Sequence, residues 1–270
     1  MIEPFAQWIE RDLVVAEGPD TLSFLQGQLS QDVEMTVGES RWSLLLEPTG
    51  KVHTWLRLTR VGEDAFQLDT DAGCGRAMVE RLSRFKLRTK CEFDAVLTVR
   101  GLAVRGRSGT GLPIVWPGSE GYDVLGADTA PDGIELRDDY ERARIEAGVP
   151  AMGRELTSAT IPVEAGQWLI DASVSFTKGC YTGQELVSRV DSRGGNAPRP
   201  VRGLRIDGEI GVGAAVTAED GHALGEVTSA VFARDLGVTV GLAPLARAVA
   251  PPAAVLVDGQ AAQLVELPMA

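Results

Sequence analysis

Cysteine and histidine are scarce in this chain. Its 270 residues include three cysteines and two histidines. The cysteines, at positions 74, 91 and 180, lie far apart, and none belongs to a C-x-x-C pair. An iron–sulfur cluster usually takes four thiolates and a structural zinc ion takes four cysteine or histidine ligands, so the sequence predicts no metal site of its own. Isolated cysteines of this kind are typical of a reducing compartment.

Long apolar runs and an excess of basic residues are also missing. No apolar stretch approaches the roughly 20 residues of a membrane-spanning helix, and no signal peptide is visible at the amino terminus. Acidic residues outnumber basic ones by 38 to 26, which gives a formal net charge of −12. Because nucleic-acid binding usually needs a basic surface, this balance disfavours direct contact with DNA or RNA. We therefore expect a cytoplasmic protein that binds neither membranes nor nucleic acid directly.

A local group of arginines departs from this acidic character. Its members are Arg189, Arg193, Arg199, Arg202 and Arg205. Such a strip can bind a polyanionic ligand, or it can be a set of solvated charges on loops and strand edges, which is the commoner case. The spacing alone leaves both interpretations open.

The pattern of apolar residues predicts two differently built parts. Residues 13–16 read as a short strand, a helix follows Pro19, and a hairpin surrounds the turn at residues 47–50. A segment rich in glycine and proline, residues 193–200, then precedes short strands joined by Asp-Gly turns. We expect an α+β region followed by a separate small β-barrel.

Cys180 is the candidate reactive residue. Lys178 stands two positions before it, and a nearby cation favours the thiolate form of a cysteine. The residues after Gly183 can begin a helix, whose free N–H groups would also favour a thiolate. A buried structural cysteine is the alternative, and these residues alone do not decide between the two. A Cys–His hydrolase is disfavoured because neither histidine lies in a supporting motif.

The run from Lys178 to Glu185, K-G-C-Y-T-G-Q-E, resembles the K-G-C-Y-x-G-Q-E signature of the YgfZ family. Four other segments agree with the same superfamily. Residues 24–33 and 45–52 resemble its first helix and hairpin, residues 144–150 resemble the R-x-E-A-G segment of the glycine-cleavage T-protein, and residues 225–229 resemble the C-terminal barrel.

The resemblance implies an α+β fold of the aminomethyltransferase folate-binding type, in which three subdomains form a ring that ends in a small β-barrel. Residues 1–195 would form the folate-binding region and residues 200–270 the barrel. Within the first region, one subdomain would comprise about 1–92 with part of 138–195, and the other about 93–137 with the remainder. Tetrahydrofolate or a derivative would occupy the central channel.

The resemblance also implies which residues contact folate. Glu146 would be the carboxylate that faces the pterin, with Arg144 as a further folate contact. A helix-surface Glu146 paired with Arg142 or Arg144 is an equal alternative from the sequence. Tyr140 would stack on the pterin, and Gln28 would line the channel.

The signature itself would supply the remaining site residues. Cys180 would be the functional thiol, and Lys178 would lower its pKa. Tyr181, Gln184 and Glu185 would order the loop or contact folate.

Aminomethyl transfer is disfavoured. The T-protein carries an aspartate pair after the turn of this hairpin, whereas Thr54 and Trp55 stand at those positions and neither can act as a carboxylate. The resemblance instead implies a folate-binding accessory protein that supports assembly or repair of iron–sulfur proteins, including tRNA-modifying enzymes. Its partners would be those proteins or their assembly factors. A folate-dependent one-carbon transferase or demethylase, and a regulatory folate-binding module with a structural Cys180, are the alternatives.

Overall fold

The computed structural model describes residues 3–192, 194 and 196–269. Up to residue 192, strands alternate with short helices. The elements of this part are β1 (Phe5–Glu17), α1 (Thr21–Gln28), β2 (Ser40–Leu46), β3 (Val52–Arg60), β4 (Ala65–Asp71), α2 (Gly75–Arg84), β5 (Glu92–Phe93), β6 (Leu97–Arg105), β7 (Leu112–Pro113), β8 (Gly121–Leu125), α3 (Tyr140–Glu146), a 3-10 turn (Pro162–Ala165), α4 (Gln167–Ser173) and α5 (Gln184–Ser192).

The elements that follow residue 200 are all strands. They are β9 (Val201–Asp207), β10 (Ala215–Thr217), β11 (Ala223–Glu226), β12 (Ser229–Ala233), β13 (Val238–Pro244), β14 (Ala253–Val257) and β15 (Gln260–Val265). They form one antiparallel sheet in the order β11-β10-β14-β15-β9-β13-β12, and this sheet has a hydrophobic core of its own. The α+β composition with an all-β end agrees with the prediction. In the predicted linker, Arg193 and Gly195 lie outside the described residues.

The first sheet is organised around β1. Its strand order is β2-β3-β4-β1-β6-β8-β7, with β5 also paired to β1. The second half of β1 pairs with β4, and its first half pairs with β6. Strands on both sides of the expected subdomain boundary near residue 92 are therefore hydrogen-bonded to one strand, and the division into subdomains stays a prediction.

Local patterns predicted several elements correctly. The helix after Pro19 and the hairpin of β2 and β3 are both present. The short strand expected at residues 13–16 is wrong in extent, because β1 begins at Phe5. Polar residues such as Arg11 and Asp12 interrupt the apolar pattern there, yet both are buried.

Buried ion pairs cross five adjacent strands of the first sheet. On β3, Arg57 donates from Nε to Asp69 on β4 at 2.9 Å and from Nη1 to Asp123 on β8 at 3.0 Å. Asp69 also accepts from Nε of Arg11 on β1 at 3.0 Å, and Asp123 accepts from Nη1 of Arg105 on β6 at 2.9 Å. We call these residues, together with Asp71, the charge network. Asp69 and Asp123 each accept hydrogen bonds from two guanidinium groups, and Asp71 pairs with Arg11.

The arginines hold Asp123 in its charged form. Burial would raise the pKa of this carboxyl group, but Arg105, Arg57 and Arg11 together lower it below the usual value. A neutral side chain at position 123 would therefore leave two buried guanidinium groups without their shared counter-charge.

We expect Asp123→Asn to lower the free energy of unfolding by about 3 to 5 kcal/mol, the usual cost of removing one partner from a buried ion pair. Urea denaturation measures the change. Asp128→Asn is the matched control, because Asp128 is exposed, and it should change stability by less than about 0.5 kcal/mol. Equal stability of the two variants would show that the charge network adds nothing to the fold.

Candidate functional site

A cavity of about 310 Å³ opens above the charge network. Four of its lining residues are aromatic: Trp42, Trp55, Trp116 and Tyr140. The rings of Trp42 and Trp55 have centroids 4.3 Å apart, and those of Trp116 and Tyr140 are 5.2 Å apart. We call this space the aromatic cavity. Its volume falls at the lower end of the range of about 300 to 1,000 Å³ that small-molecule sites occupy.

Charged groups complete the walls of the aromatic cavity. The guanidinium of Arg105 lies 4.2 Å from the Trp116 ring and 5.1 Å from the Tyr140 ring. Its Nε atom is buried and has no hydrogen-bond partner among the described residues. Carboxylates are supplied by Asp71 and Glu141. The cavity therefore offers flat apolar faces, a guanidinium group and anionic acceptors to one ligand.

Helix α3 directs its polar residues to two different cavities. Tyr140 and Glu141 line the aromatic cavity, whereas Glu146 lines a second cavity of about 480 Å³. An α-helix turns once in about 3.6 residues, so two positions six residues apart face different directions. Glu146 accepts a hydrogen bond from Nε of Arg142 at 2.9 Å. The structure thus does not bring Glu146 and Tyr140 together.

Arg144 is almost fully buried and joins α3 to the second sheet. It donates to Glu141, to the carbonyl oxygen of Val149 at 2.5 Å and to Oγ of Ser229 at 2.7 Å. A longer contact of 3.4 Å reaches Glu155. Arg144 lines the aromatic cavity, but its donors are largely used in holding these elements together.

Residues 178–183, which we call the thiol loop, expose Cys180 to solvent. The ammonium of Lys178 does not lie free beside the thiol. At distances of 2.7, 2.8 and 2.9 Å it donates to the backbone carbonyls of Gln26, Leu29 and Gln31. Burial lowers the pKa of Lys178 to about 8, against the opposing effect of Asp32, so the ammonium persists at neutral pH. The interaction attaches the loop to the end of α1, and an effect on the Cys180 pKa stays a prediction.

Two further residues of the signature hold the thiol loop in place. The Tyr181 side chain is buried in the hydrophobic cluster that contains Trp42, and burial raises its pKa to about 12. Gly183 has a φ of 85°, and a Cβ atom there would lie 2.6 Å from the carbonyl oxygen of Glu47. Glycine is required at this close approach of two loops. Cys180 is therefore exposed between fixed residues.

The other predicted residues of this region lie outside the aromatic cavity. Oε1 of Gln28 is 3.5 Å from both Nη1 of Arg81 and Oγ1 of Thr182, which are long contacts next to the thiol loop. Gln184 begins α5, and Glu185 follows it on an exposed part of that helix. The helix start predicted after Gly183 is therefore present.

Sequence patterns did not identify the residues that make most of the aromatic cavity. Tyr140 and Arg144 are in its walls, but Glu146 and the predicted residues of the thiol loop are not. No motif pointed to Trp116 or Arg105, because the sequence pattern of the region that contains them indicated only strands and turns. Their contribution becomes visible only when β6 and the segment after β7 are packed against α3.

Thr54 and Trp55 are both buried. The Trp55 indole N–H donates to Oγ of Ser173 at 3.0 Å, which fixes the ring in the cavity wall. An indole therefore occupies the wall where the sequence comparison with the T-protein places a carboxylate, and no acid chemistry is available from these two positions.

Two features are absent from the described ranges, 3–192, 194 and 196–269. No helix in them is both long and apolar enough to cross a membrane. They also contain no group of three or more histidine, cysteine, aspartate or glutamate residues arranged to hold a metal ion.

Relatives of the chain carry informative names. No family model matches it. The tRNA-modifying protein YgfZ of Serratia proteamaculans is 27% identical over 217 aligned residues, covering 68% of this chain and 66% of that protein. The mitochondrial iron–sulfur cluster assembly factor IBA57 homolog of Phaeosphaeria nodorum is 28% identical over 221, covering 68% of this chain and 51% of the relative. The predicted relationship to YgfZ-type proteins is confirmed.

A solved structure supports the predicted fold. The glycine cleavage system aminomethyltransferase T of Bartonella henselae superposes with a TM-score of 0.75 and 22% identity, covering 98% of this chain and 86% of the other. The aminomethyltransferase-type fold is therefore confirmed. At this level of identity the similarity concerns the fold alone.

The different exposure of the three cysteines predicts selective modification. We expect one of the three cysteines to react rapidly with the disulfide reagent DTNB in the native protein, and all three to react after denaturation. Burial raises the pKa of Cys91, and burial with Asp71 and Asp12 raises that of Cys74, so both should react slowly.

Cys180→Ser should abolish the rapid phase, and Cys74→Ser should leave it unchanged. A rapid phase that survives Cys180→Ser would contradict the exposure of Cys180.

Proposed function

We propose that this chain is a folate-binding accessory protein that supports the assembly or repair of iron–sulfur proteins, including enzymes that modify tRNA. Tetrahydrofolate or a derivative would bind in the aromatic cavity. The observation that carries the proposal is the combination, in one cavity, of four aromatic rings with buried arginine and carboxylate groups. The names of the relatives, which refer to tRNA modification and to iron–sulfur cluster assembly, supply the biological context.

The chemistry of a pterin matches these walls. Its flat ring needs an aromatic face, which Tyr140 and Trp116 offer. One edge of the ring carries N–H donors, for which Asp71 and Glu141 can be acceptors, and its carbonyl oxygen can accept from the guanidinium of Arg105. In this proposal Glu141, and not Glu146, would be the carboxylate that faces the pterin.

The second part of the proposal concerns Cys180. A thiol exposed on a fixed loop can reach the surface of another protein, whereas Cys91 is buried and Cys74 is half-buried. A single thiol cannot hold a cluster by itself. Cys180 would therefore act on a client iron–sulfur protein or assembly factor, and the cluster would belong to that partner.

The charge of the chain is consistent with protein partners in the cytoplasm. A net charge of −12 disfavours contact with the phosphate backbone of tRNA. Any effect on tRNA modification would thus pass through a modifying enzyme and not through binding of the chain to tRNA.

Folate binding can be measured by tryptophan fluorescence, because three tryptophans line the aromatic cavity. We expect saturable quenching by tetrahydrofolate and by 5-formyltetrahydrofolate. Tyr140→Ala should weaken binding by about fivefold or more, since it removes a stacking face.

Glu146→Gln is the matched control on the same helix. It should bind as wild type, because Glu146 lines the second cavity. Weaker binding in Glu146→Gln with normal binding in Tyr140→Ala would place the ligand in the second cavity instead. No saturable binding of either folate to wild type would refute the folate part of the proposal.

The role of Cys180 can be tested in a bacterial strain that lacks its own YgfZ protein. We expect wild type to restore the tRNA nucleosides that iron–sulfur enzymes produce, measured by mass spectrometry, and Cys180→Ala to restore few or none. Cys180 is exposed, so this variant should fold normally.

Cys74→Ala controls for the loss of a thiol as such and should restore the modification. Full restoration by Cys180→Ala would show that the thiol is dispensable and would favour a folate-binding module without thiol chemistry.

A further inference from the structure

A cleft of about 230 Å³ lies between the start of the second sheet and the start of α4. Its lining residues are Val163, Gly166, Gln167, Asn196, Ala197, Pro200, Arg202 and Arg247. Both charged residues in this set are arginines, although the chain as a whole has a net charge of −12. The cleft shares no lining residue with the aromatic cavity. We call it the arginine cleft.

Arg202 lies on the core-facing side of strand β9 in the second sheet. Side chains alternate between the two faces of a strand, so Arg202 lies on the same face of β9 as Leu204 and Ile206. Those two residues belong to the hydrophobic core of the sheet. In keeping with this position, the Nε atom of Arg202 is buried and has no hydrogen-bond partner among the described residues.

Arginines buried elsewhere in the chain have carboxylate partners. Arg57 lies 2.9 Å from Asp69, Arg105 lies 2.9 Å from Asp123, and a contact of 3.4 Å joins Arg144 to a glutamate. Arg202 and Arg247, by contrast, form no ion pair within the described part of the chain. Arg247 is exposed, whereas Arg202 is half-buried and its Nε is shielded from water. The shielded part of the Arg202 guanidinium is unfavourable unless a nearby anion or acceptor compensates for it.

We infer that the arginine cleft binds a compact oxyanion, either a phosphate or a carboxylate group of a small molecule. The planar fork of Arg202 suits two oxygen atoms of either group. Arg247 adds a second positive charge from the exposed side. The Gln167 Nε2 donates one hydrogen to Asp171 at 3.0 Å and has a second N–H that can donate to an anion. The volume of the cleft lies below that of a site for a whole drug-sized ligand, so it fits a small anion or the anionic end of a larger molecule.

The arrangement also explains part of the arginine strip noted in the sequence. Arg199 lies 3.8 Å from Glu164, and Arg205 lines the second cavity. These two arginines therefore do not line the arginine cleft. Arg193 lies outside the described residues. Arg247 was not in the strip, because it is distant in the sequence and joins the cleft through the packing of residues 245–247 against residues 198–200.

Isothermal titration calorimetry with inorganic phosphate, pyrophosphate and glutarate, each at constant ionic strength in sodium chloride, tests the inference without folate. We expect saturable binding of at least one of the three to wild type. Arg202→Gln and Arg247→Gln should each weaken it by about tenfold or more, because each removes a charge-assisted pair. Arg234→Gln removes the same charge from an exposed turn and should bind as wild type.

The choice of probes distinguishes the two chemistries. Tighter binding of the phosphates identifies a phosphate site, and tighter binding of glutarate identifies a carboxylate site. Arg247 is exposed, so Arg247→Gln carries the test even if Arg202→Gln is poorly folded. No saturable binding of any probe to wild type, or equal binding to wild type and Arg247→Gln, would overturn the inference.

Discussion

Burial of charge within the first sheet is the constraint on which the aromatic cavity depends. Guanidinium and carboxylate groups cross five adjacent strands, and each would be costly in the interior without its partner. A slip of one residue in any of these strands would turn its charged side chain to the opposite face, so the charge network restricts the register. The same guanidinium groups lie against the cavity rings, Arg57 on Trp42 and Arg105 on Trp116. The charge network therefore contributes both to the stability of the first sheet and to the shape of the aromatic cavity.

The aromatic cavity and the thiol loop are different places that share a hydrophobic core. Tyr181 anchors the loop in the cluster that includes Trp42 and Trp55, and those two rings form part of the cavity wall. Lys178 fixes the other side of the loop by its bonds to the end of α1. A folate in the cavity and a partner protein at Cys180 would accordingly contact two separate surfaces that rest on the same hydrophobic cluster.

Much of the fold could be predicted from local patterns. The helix after Pro19, the β2–β3 hairpin and the series of strands after residue 200 follow from periodicity and turn residues, which act over a few positions. The helix predicted after Gly183 is also present, and the role assigned to Cys180 in the signature stays a prediction. The extent of β1 could not be predicted from the apolar pattern, because β1 is buried although it contains the charged residue Arg11. The hydrogen bond from Arg11 to Asp69 makes this burial possible.

The sequence by itself determined the class of fold and the similarity to YgfZ-type proteins, and it marked Cys180 as the candidate thiol. The structure showed that Cys180 is exposed. Only the tertiary structure decided which residues meet. It separated Tyr140 from Glu146, brought Trp116 and Arg105 to the same cavity, and joined Arg202 to Arg247. The physical reason is that periodicity and motifs depend on neighbours along the chain, whereas the direction of a side chain and its partners depend on how distant elements pack.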